Sequence, residues 1–495
     1  MLTVNHGGIL RQSEEHALLD ALPKLPFGYM FEDLQEDDEN LLPKLDETAS
    51  DLRYLGTQGM RDPAGKIEGI QVPAIHTFLA QFIDHDITLM DDRGAQISLT
   101  NPTPLSRGQI AKIVNARSPN LDLDNIYGPN IDPDLSPPED DDPRKMKIEK
   151  VKDHTRLPKG VNPDGLHDFP RVDNKIPLIG DSRDAENLIL AQLHVAFLRA
   201  HNAIVDKYHV GFKDAKKLLI QHYQLIVLED FLEQICDPDI VKRVRHGEAK
   251  FFPPSDKPFY MPLEFSVAAY RFGHSKVRAS YNHFNSEQEY GTFPFLFGFT
   301  NRRLLDDWVI SWPSFLDAKN EDRLPRRIDT TMSAPLLSLG PDQVSGHDTS
   351  VGNLAVRNLL RGYMLRMPTG QAVAKAMIAK EIPGIKLMLA EQILSVAEKI
   401  PIPPDKTQAD FLKNTKFAEK TPLWFYILAE AALFGKNGYH LGPVGSTIVA
   451  EVLIGVLRNS TYSILTDPDW KGPTLKGKTP NKFDIADLLT LAEVI

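Results

Sequence analysis

Cysteine is almost absent from this chain, since Cys236 is the single cysteine among 495 residues. A disulfide framework within the chain and a metal site built from several cysteines are therefore both excluded. Basic residues are also in deficit, with 56 Lys and Arg against 67 Asp and Glu and a formal net charge of −11. No basic stripe offsets this balance, so the composition disfavours a nucleic-acid partner.

Long apolar runs are missing as well. No stretch approaches the roughly 18 consecutive apolar residues of a membrane-spanning helix. The N-terminal sequence MLTVNHGGILRQSEEHALLD lacks the basic region followed by an apolar region that marks a secretory signal. We therefore expect no membrane span and no signal peptide, and the single cysteine is compatible with a reducing, cytoplasmic location.

Turns dominate the first part of the chain and helical periodicity dominates the rest. Residues 1–70 are acidic and punctuated by Gly and Pro, so we expect them to wrap the outside of a domain formed by residues 71–495. Residues 130–180 are dense in Pro, Asp and Lys, which favours irregular structure with short strands. The predicted fold is mainly α, a single large helical domain with long irregular loops and little β structure. Apolar spacing predicts a long helix after Asp181, which is placed to cap it, and helices over 214–236, 354–364, 369–377, 384–400, 425–434 and 445–459.

Residues 78–90, FLAQFIDHDITLM, combine apolar spacing with three polar side chains on one helical face. Gln81, Asp84 and His85 stand at i, i+3 and i+4, so a helix brings them within about one turn of each other. Burying an acid and an imidazole without partners costs several kcal/mol. The cluster is therefore either a satisfied polar group of the core or a functional site.

Three further stretches carry polar pairs three residues apart. They are Arg183 with Glu186 in DSRDAE, Arg271 with His274 in AAYRFGHSKV, and Asn358 with Arg361 in NLAVRNLLRGYM. Small residues around His274 permit a planar group to approach closely. Read separately, each pair also fits an ordinary explanation: a surface ion pair, a core histidine, or a solvated helix face.

Together the four stretches resemble the animal-type haem peroxidases of the peroxidase–cyclooxygenase superfamily, and their bacterial members in particular. The family's distal Gln-x-x-Asp-His is matched by Gln81, Asp84 and His85, and its downstream Arg-x-x-Glu by Arg183 and Glu186. The proximal Arg-x-x-His is matched by Arg271 and His274. The asparagine that holds the proximal histidine, and the arginine three residues later, are matched by Asn358 and Arg361. The four motifs occur in the family's order with its internal spacings, which makes coincidence improbable.

The resemblance implies a haem b cofactor, and the chemistry of peroxide cleavage asks for these residue types. A haem iron needs a strong axial ligand whose second nitrogen is hydrogen-bonded, which are the roles of His274 and Asn358. On the other side, His85 would act as general base and then general acid on peroxide. Arg183 would stabilise the separating charge as a permanent cation, and Gln81 would order water or halide.

Two covalent links to haem are also implied. In vertebrate members the acids at the positions of Asp84 and Glu186 form esters with haem methyl groups, so ester-linked haem is expected here. One vertebrate branch has a methionine directly after the glutamate and forms a sulfonium link. This chain has Asn187 there, so that third link cannot form.

A calcium site is implied by the same resemblance. Asp86 follows His85 and points roughly 100° away from the haem face. The loop SPNLDLD supplies oxygen ligands at alternate positions, with Ser118, Asp122 and Asp124 using side chains and Asn120 its carbonyl. The family usually has a hydroxyl residue where Asp124 stands. By itself this loop also reads as a surface turn.

The function that the resemblance implies is reduction of hydrogen peroxide, with two-electron oxidation of the haem, followed by oxidation of halides or small aromatic donors. The rival within the superfamily is a fatty-acid dioxygenase, which needs a tyrosine three residues before the proximal histidine. This chain has Arg271 there, and Tyr270 lies one residue earlier. A haem-binding or calcium-binding protein without turnover is a third reading, disfavoured because His85 with Arg183 serves no purpose in retaining haem.

Overall fold

The computed structural model describes residues 22–63, 69–95, 97–128, 136–151, 157–159, 166–172, 176–253, 259–289, 291–292, 296, 303–339 and 352–495, and the backbone of Leu2–Asn5 and Gly8–Arg11. Helices account for 48% of the structure and strands for 8%, so the prediction of a mainly α fold with little β structure is confirmed. The α-helices are α1 (Asp46–Tyr54), α2 (Ile75–Ile87), α3 (Arg107–Ile110), α4 (Asp124–Tyr127), α5 (Leu188–Tyr208), α6 (Phe212–Ile226), α7 (Leu232–Ile235), α8 (Pro238–Arg245), α9 (Gly273–Lys276), α10 (Trp312–Leu316), α11 (Leu354–Met364), α12 (Gly370–Ala379), α13 (Ala390–Ala397), α14 (Gln408–Lys413), α15 (Leu423–Phe434), α16 (Pro443–Asn459) and α17 (Ile485–Leu491).

The strands are short and form small sheets at the edges of the helical core. They are β1 (Leu2–Asn5), β2 (Gly8–Arg11), β3 (Leu25–Gly28), β4 (Met90–Asp91), β5 (Val114–Asn115), β6 (Glu149–Lys150), β7 (His167–Asp168), β8 (Arg171–Val172), β9 (Ile176–Pro177), β10 (Met261–Pro262), β11 (Pro401–Ile402) and β12 (Lys406–Thr407). Four of them align in the order β10-β3-β5-β4, with β10 parallel to β3 and the other neighbours antiparallel. The described part of 130–180 contains only two-residue strands and loops, as its composition predicts.

Helix α2 is buried on nearly every side, because apolar residues surround its polar ones. Every residue of Ile75–Ile87 except Gln81 is buried. Phe82 stacks on Phe197 of α5, with ring centroids 4.4 Å apart and planes 19° from parallel. The ring contact fixes α2 against α5 and therefore fixes the direction in which the polar residues of α2 point.

Helix α5 begins later than the sequence predicts. Asp181 accepts from the backbone N–H of Arg183 and so caps a separate 3₁₀ turn, Ser182–Ala185. The cap of α5 is Asn187, whose side chain accepts from the N–H of Leu190. The predicted cap is therefore wrong, and the turn separates Arg183 from α5. Among the described residues α5 is the one helix long and apolar enough to cross a membrane, and 83% of its apolar window is buried inside the protein.

The N-terminal segment contributes to the common core. Leu52 of α1 and Leu55 of the following π-helical turn are fully buried. The carboxylate of Glu264 accepts hydrogen bonds from the N–H groups of Met30 and Phe31, at 2.8 and 3.1 Å, and so ties this segment to the interior. A boundary at residue 70 stays a prediction.

Most of the later helices lie where periodicity predicts them, with one exception. Helix α11 has the predicted bounds, Leu354–Met364. The helix predicted over 384–400 is wrong at its start, since α13 spans only Ala390–Ala397. Gly384 has a φ of +84°, a left-handed backbone conformation that a right-handed helix cannot contain. The amide of Gln392 accepts from the N–H of Leu389, which marks the true start of the helix.

Replacing Phe82 with Ala is expected to destabilise the fold by about 3–5 kcal/mol, because it leaves a cavity between α2 and α5. Urea denaturation followed by circular dichroism measures the change. Leu389→Ala is the control, since Leu389 is 58% exposed and its loss should change stability by about 0.5 kcal/mol or less. Equal effects of the two substitutions would contradict the role of Phe82 in docking α2.

Candidate active site

A cavity lies between α2 and the segment that carries His274. Gln81, Asp84 and His85 line it from α2, and Arg271 and His274 line it from the other segment. The remaining lining residues are Thr77, Phe78, Ala80, Tyr270, Gly273, Val277, Leu336, Leu339 and Leu354. Two of the four sequence motifs therefore face one cavity.

The histidine predicted to be an axial ligand lies in a short helix after an irregular approach. A π-helical turn, Glu264–Ala268, and a 3₁₀ turn, Ala269–Phe272, precede α9. Burial, and then the charge of Arg271, lower the pKa of His274 to about 3. The imidazole is therefore neutral, which is the form that can donate a lone pair to a metal.

Asn358 lies where the sequence predicts it, beside the ring of His274. The amide Nδ2 of Asn358 is 2.8 Å from Nδ1 of His274, across 84 positions of sequence. Rotating the amide by half a turn places its oxygen at this contact, where it would accept a hydrogen bond from the Nδ1–H of His274. A neutral ring with its proton on Nδ1 has its lone pair on Nε2.

On α2, His85 is held by an acid that the sequence did not single out. Its Nδ1 is 2.7 Å from Oδ1 of Asp184, and both side chains are buried. The second oxygen of Asp184 lies 2.7 Å from Nδ1 of His194 and 3.0 Å from the amide nitrogen of Asn125. Burial raises the pKa of Asp184, but the two histidines outweigh it and hold the pKa below its ordinary value. No local spacing connects these residues, because Asp184 follows His85 by 99 positions.

Asp84 is fully satisfied by its neighbours. One oxygen pairs with Nη1 of Arg271 at 2.9 Å, and the other accepts from the hydroxyl of Thr88 at 2.8 Å. Burial raises the pKa of Asp84, and the charges of Arg271, His85 and Arg183 outweigh that effect, so the net shift is downward. Asp84 therefore lies in the cavity as an anion paired with Arg271.

The carboxyl group of Glu186, unlike that of Asp84, is buried without hydrogen bonds to described residues. Its side chain is 1% exposed, and neither carboxyl oxygen has a hydrogen-bond partner in the described part of the chain. Burial raises its pKa well above the ordinary value, against the opposing charge of Arg183. A buried polar group without a partner is rare in proteins and indicates a missing neighbour. The neighbouring Asn187 donates from Nδ2 to the side-chain oxygen of Gln81 at 3.1 Å, and so links this turn to α2.

Arg183 does not line the cavity. Its guanidinium donates to Asp181 at 2.6 Å and to the carbonyl oxygens of His85 and Thr88 at 3.2 and 2.8 Å. The group is thus fixed at the C-terminal end of α2, beside the backbone of His85. Arg361 also points elsewhere, because it pairs with Asp92 at 3.1 Å. Arg357, which the sequence analysis did not consider, has its pKa lowered to about 10, chiefly by burial.

The predicted calcium loop lies against the face of α2 that points away from the cavity. Oδ1 of Asp86 accepts from the N–H of Asp124 at 2.6 Å, and Ser118 donates to Oδ2 of Asp124. Burial raises the pKa of Asp86, Asp122 and Asp124, and repulsion from Asp124 raises the first two further. Oδ2 of Asp86 and Oδ1 of Asp122 are buried without partners among the described residues.

These acids do not form a ready cation cage. Asp122 turns its other oxygen to Thr461 at 2.9 Å, and the side chain of Asn120 contacts Asn459. Within the described ranges, no group of three or more His, Cys, Asp or Glu side chains has the arrangement of a metal site. The structure therefore brings Asp86, Ser118 and Asp124 together, and leaves Asn120 bonded to the last residue of α16 and Asp122 bonded to the segment after it.

Comparison with solved structures identifies the class of this fold. Peroxidase A from Dictyostelium discoideum superposes with a TM-score of 0.60 over 90% of this chain and 89% of that one, at 18% identity. Fatty acid alpha-dioxygenase from Arabidopsis thaliana superposes with a TM-score of 0.56 over 86% of this chain and 71% of that one, at 14% identity. The fold is thus the helical one that peroxidases and fatty-acid dioxygenases have in common.

The sequence also matches a known protein family over part of its length. The sequence model named animal haem peroxidase matches residues 96–324, which is less than half of this chain. The matched segment contains Arg183, Glu186, Arg271 and His274. The motif of α2 and the pair Asn358 and Arg361 lie outside the match, so their roles depend on the geometry described above.

Curated relatives carry peroxidase names at low identity. A peroxidase-like protein of Margaritifera margaritifera is 28% identical over 259 residues, which are 41% of this chain and 31% of that protein. Thyroid peroxidase of Mus musculus is 29% identical over 137 residues, 25% of this chain and 15% of that protein. The matched stretches thus span less than a third of the length of these relatives.

Proposed function

We propose that this protein is a haem peroxidase that reduces hydrogen peroxide and oxidises halides, thiocyanate or small aromatic donors. One observation carries the proposal: His85 and His274 line a single cavity from separate elements, and each has its Nδ1 hydrogen-bonded to a buried side chain. With the proton of each neutral ring on Nδ1, Nε2 of His274 would be the ligand of the iron and Nε2 of His85 would take the proton of peroxide. Retention of haem alone requires only His274.

The residues present fit haem b. His274 would hold the iron, Asn358 would orient its ring, and Arg271 supplies a cation at the cavity wall. Glu186 has two buried oxygens without partners in the described structure, which an additional group beside it would satisfy. When bound, the haem supplies the redox chemistry of peroxide reduction.

The proton transfers belong to His85. The imidazole takes a proton from one peroxide oxygen and delivers it to the departing oxygen, so a single ring serves as base and then acid. Gln81, oriented by Asn187 at 3.1 Å, can order water or halide at the same wall. Arg183 contributes a fixed positive charge behind His85, because its guanidinium binds the His85 carbonyl oxygen.

A fatty-acid dioxygenase is the second candidate. Tyr270 lines the cavity, and its buried hydroxyl has no partner among the described residues. Leu336, Leu339 and Leu354 give the cavity an apolar wall that suits an acyl chain. Against this candidate, Arg271 occupies the position three residues before His274 and is paired with Asp84 across the cavity.

His85→Ala is expected to retain haem but to react with peroxide at least ~100-fold more slowly, since general acid–base groups contribute ~100- to 10,000-fold. Stopped-flow absorbance of the Soret band measures this step. His76→Ala is the control, because His76 lies on the same helix and pairs with Asp230 at 2.7 Å outside the cavity lining. It should leave the rate within a few-fold of the parent, and His274→Ala should lose or misligate the iron.

An unchanged peroxide rate in His85→Ala would refute the acid–base role. If the parent protein consumes oxygen with a polyunsaturated fatty acid and does not react with peroxide, the peroxidase assignment is wrong and the dioxygenase assignment takes its place. Parallel steady-state assays with bromide and with a phenol identify the donor class.

Ester-linked haem is part of the proposal, and the structure distinguishes the two acids. Such an ester would join a carboxyl oxygen to a methyl carbon of bound haem, with one methyl C–H bond broken and with peroxide as the two-electron oxidant that is reduced to water. Glu186 does not line the cavity, but it has no hydrogen bond to break among the described residues, whereas Asp84 must first leave Arg271 and Thr88. Glu186 is therefore the acid that should link more readily.

Acid–butanone extraction after peroxide treatment tests this order. Glu186→Gln should release most of its haem, and Asp84→Asn should keep a larger linked fraction, with mass spectrometry of haem peptides as the check. The linked fraction of the parent should rise with peroxide exposure. Complete release of haem from the treated parent would refute the ester, and greater release from Asp84→Asn would reverse the order.

One calcium ion is also proposed, bound by Asp86 with Ser118, Asn120, Asp122 and Asp124. The support is the partnerless oxygen of Asp86 and the mutual repulsion of three buried acids, which a divalent cation would relieve. Because Asp122 and Asn120 are turned to neighbouring groups, binding requires small side-chain rotations.

Metal analysis of protein purified without chelator should find about one calcium per chain. Asp86→Ala should lose it and slow the peroxide reaction indirectly, through His85. Asp91→Asn is the control, because Asp91 lies just after α2 and pairs with Arg93. Parent protein without calcium, or an unchanged content in Asp86→Ala, would contradict the site.

A further inference from the structure

Three hydrogen-bond donors from three different helices meet at the carboxylate of Asp184. His85 of α2 approaches Oδ1 through Nδ1 at 2.7 Å. His194 of α5 approaches Oδ2 through Nδ1 at 2.7 Å, and Asn125 of α4 donates to the same oxygen at 3.0 Å. Asp184 and His194 are fully buried, so no solvent competes for these contacts.

We propose that Asp184 is the positioning residue of the distal site, which holds the proton of His85 on Nδ1 and so keeps Nε2 open toward the cavity. A carboxylate can only accept, and therefore both imidazoles must present an N–H at Nδ1. A neutral imidazole with its proton on Nδ1 has its lone pair on Nε2. This inference rests on the proposed peroxidase function, because it assigns how the proton acceptor of that reaction is prepared.

A second Asp–His pair, with a buried histidine and a half-buried aspartate, is a contact outside the cavity and serves as a comparison. His76, also on α2, meets Asp230 through Nε2 at 2.7 Å and the carbonyl of Pro73 through Nδ1 at 3.3 Å. Both of its ring nitrogens are therefore occupied. Among the described residues, His85 forms a hydrogen bond only through Nδ1, while its ring lines the cavity.

The three contacts of Asp184 predict how the substitution Asp184→Asn changes the tautomer of His85. The substituted side chain has one oxygen that accepts and one NH₂ group that donates. Two donors converge at the position of Oδ2 and one at Oδ1, so the amide oxygen should take the Oδ2 position. The NH₂ group then faces His85, whose Nδ1 must accept, and the ring proton moves to Nε2.

Asp184→Asn is therefore expected to react with peroxide ~100- to 10,000-fold more slowly, with the donor KM unchanged. The decisive second readout is the tautomer of His85 in the haem protein. The ferrous carbon monoxide complex is diamagnetic, and two-bond ¹⁵N–¹H correlations of histidine-labelled protein distinguish the two protonated nitrogens. A spectrum of His85→Gln assigns the signal. The parent should show the proton on Nδ1 and Asp184→Asn on Nε2.

Two controls separate positioning from packing. Asp230→Asn removes the matched carboxylate from the other histidine of α2 and should leave the peroxide rate within a few-fold of the parent. His194→Phe leaves all of Asp184 to His85 and Asn125, so the tautomer of His85 should stay unchanged. A similar loss of rate in Asp230→Asn and Asp184→Asn would indicate loosening of α2 and overturn the proposal.

Failure of this inference is distinguishable from failure of the proposed function. A parent protein inert to peroxide, but with His85 protonated on Nδ1 and switching in Asp184→Asn, contradicts the peroxidase and keeps the positioning role. A parent active with peroxide whose His85 carries its proton on Nε2 overturns the positioning role alone. The parent spectrum gives this answer even if Asp184→Asn does not fold.

Discussion

The burial of three consecutive ionisable residues on α2 is the constraint on which the rest of the site depends. Asp84, His85 and Asp86 point in different directions, because successive helical residues are separated by roughly 100°. None of them can remain in an apolar core without a partner. Asp84 therefore binds Arg271 of the segment that carries His274, His85 binds Asp184 of the 3₁₀ turn before α5, and Asp86 binds the N–H of Asp124 in the acidic loop. A single helix thereby fixes the relative positions of three segments that are far apart in sequence.

Local spacing predicts which side chains share a face better than it predicts their contacts. Gln81, Asp84 and His85, at i, i+3 and i+4 of α2, line one cavity, because helical geometry alone determines their common direction. The bond between His85 and Asp184 spans 99 positions, and no periodicity encodes it. The predicted start of α5 was wrong for a similar reason. Asp181 and Asn187 are both residues that can cap a helix, and the 3₁₀ turn between them makes Asn187 the cap of α5.

The fold does not decide between a peroxidase and a dioxygenase, since both superpose on this chain with similar TM-scores of 0.60 and 0.56. The difference must lie in a few side chains at the cavity wall. The pairing of Arg271 with Asp84 places charge in the middle of this wall, where a buried acyl chain would desolvate it. Small, hydrated donors avoid that cost. The polar part of the wall thus favours the proposed peroxide chemistry, whereas Leu336, Leu339 and Leu354 make another part of the wall apolar.

The two acids implied in haem attachment also differ in what their loss of charge would do. Asp84 neutralises Arg271, so an ester there would leave a cation without its counter-ion close to His274. Glu186 has no hydrogen-bonded partner in the described structure, and its raised pKa already favours the neutral acid. An ester at Glu186 therefore removes little charge from the site, whereas one at Asp84 changes the field at the proximal histidine. The electrostatics of the cavity would then depend on which acid has reacted, and Arg271 would be the group that transmits the difference.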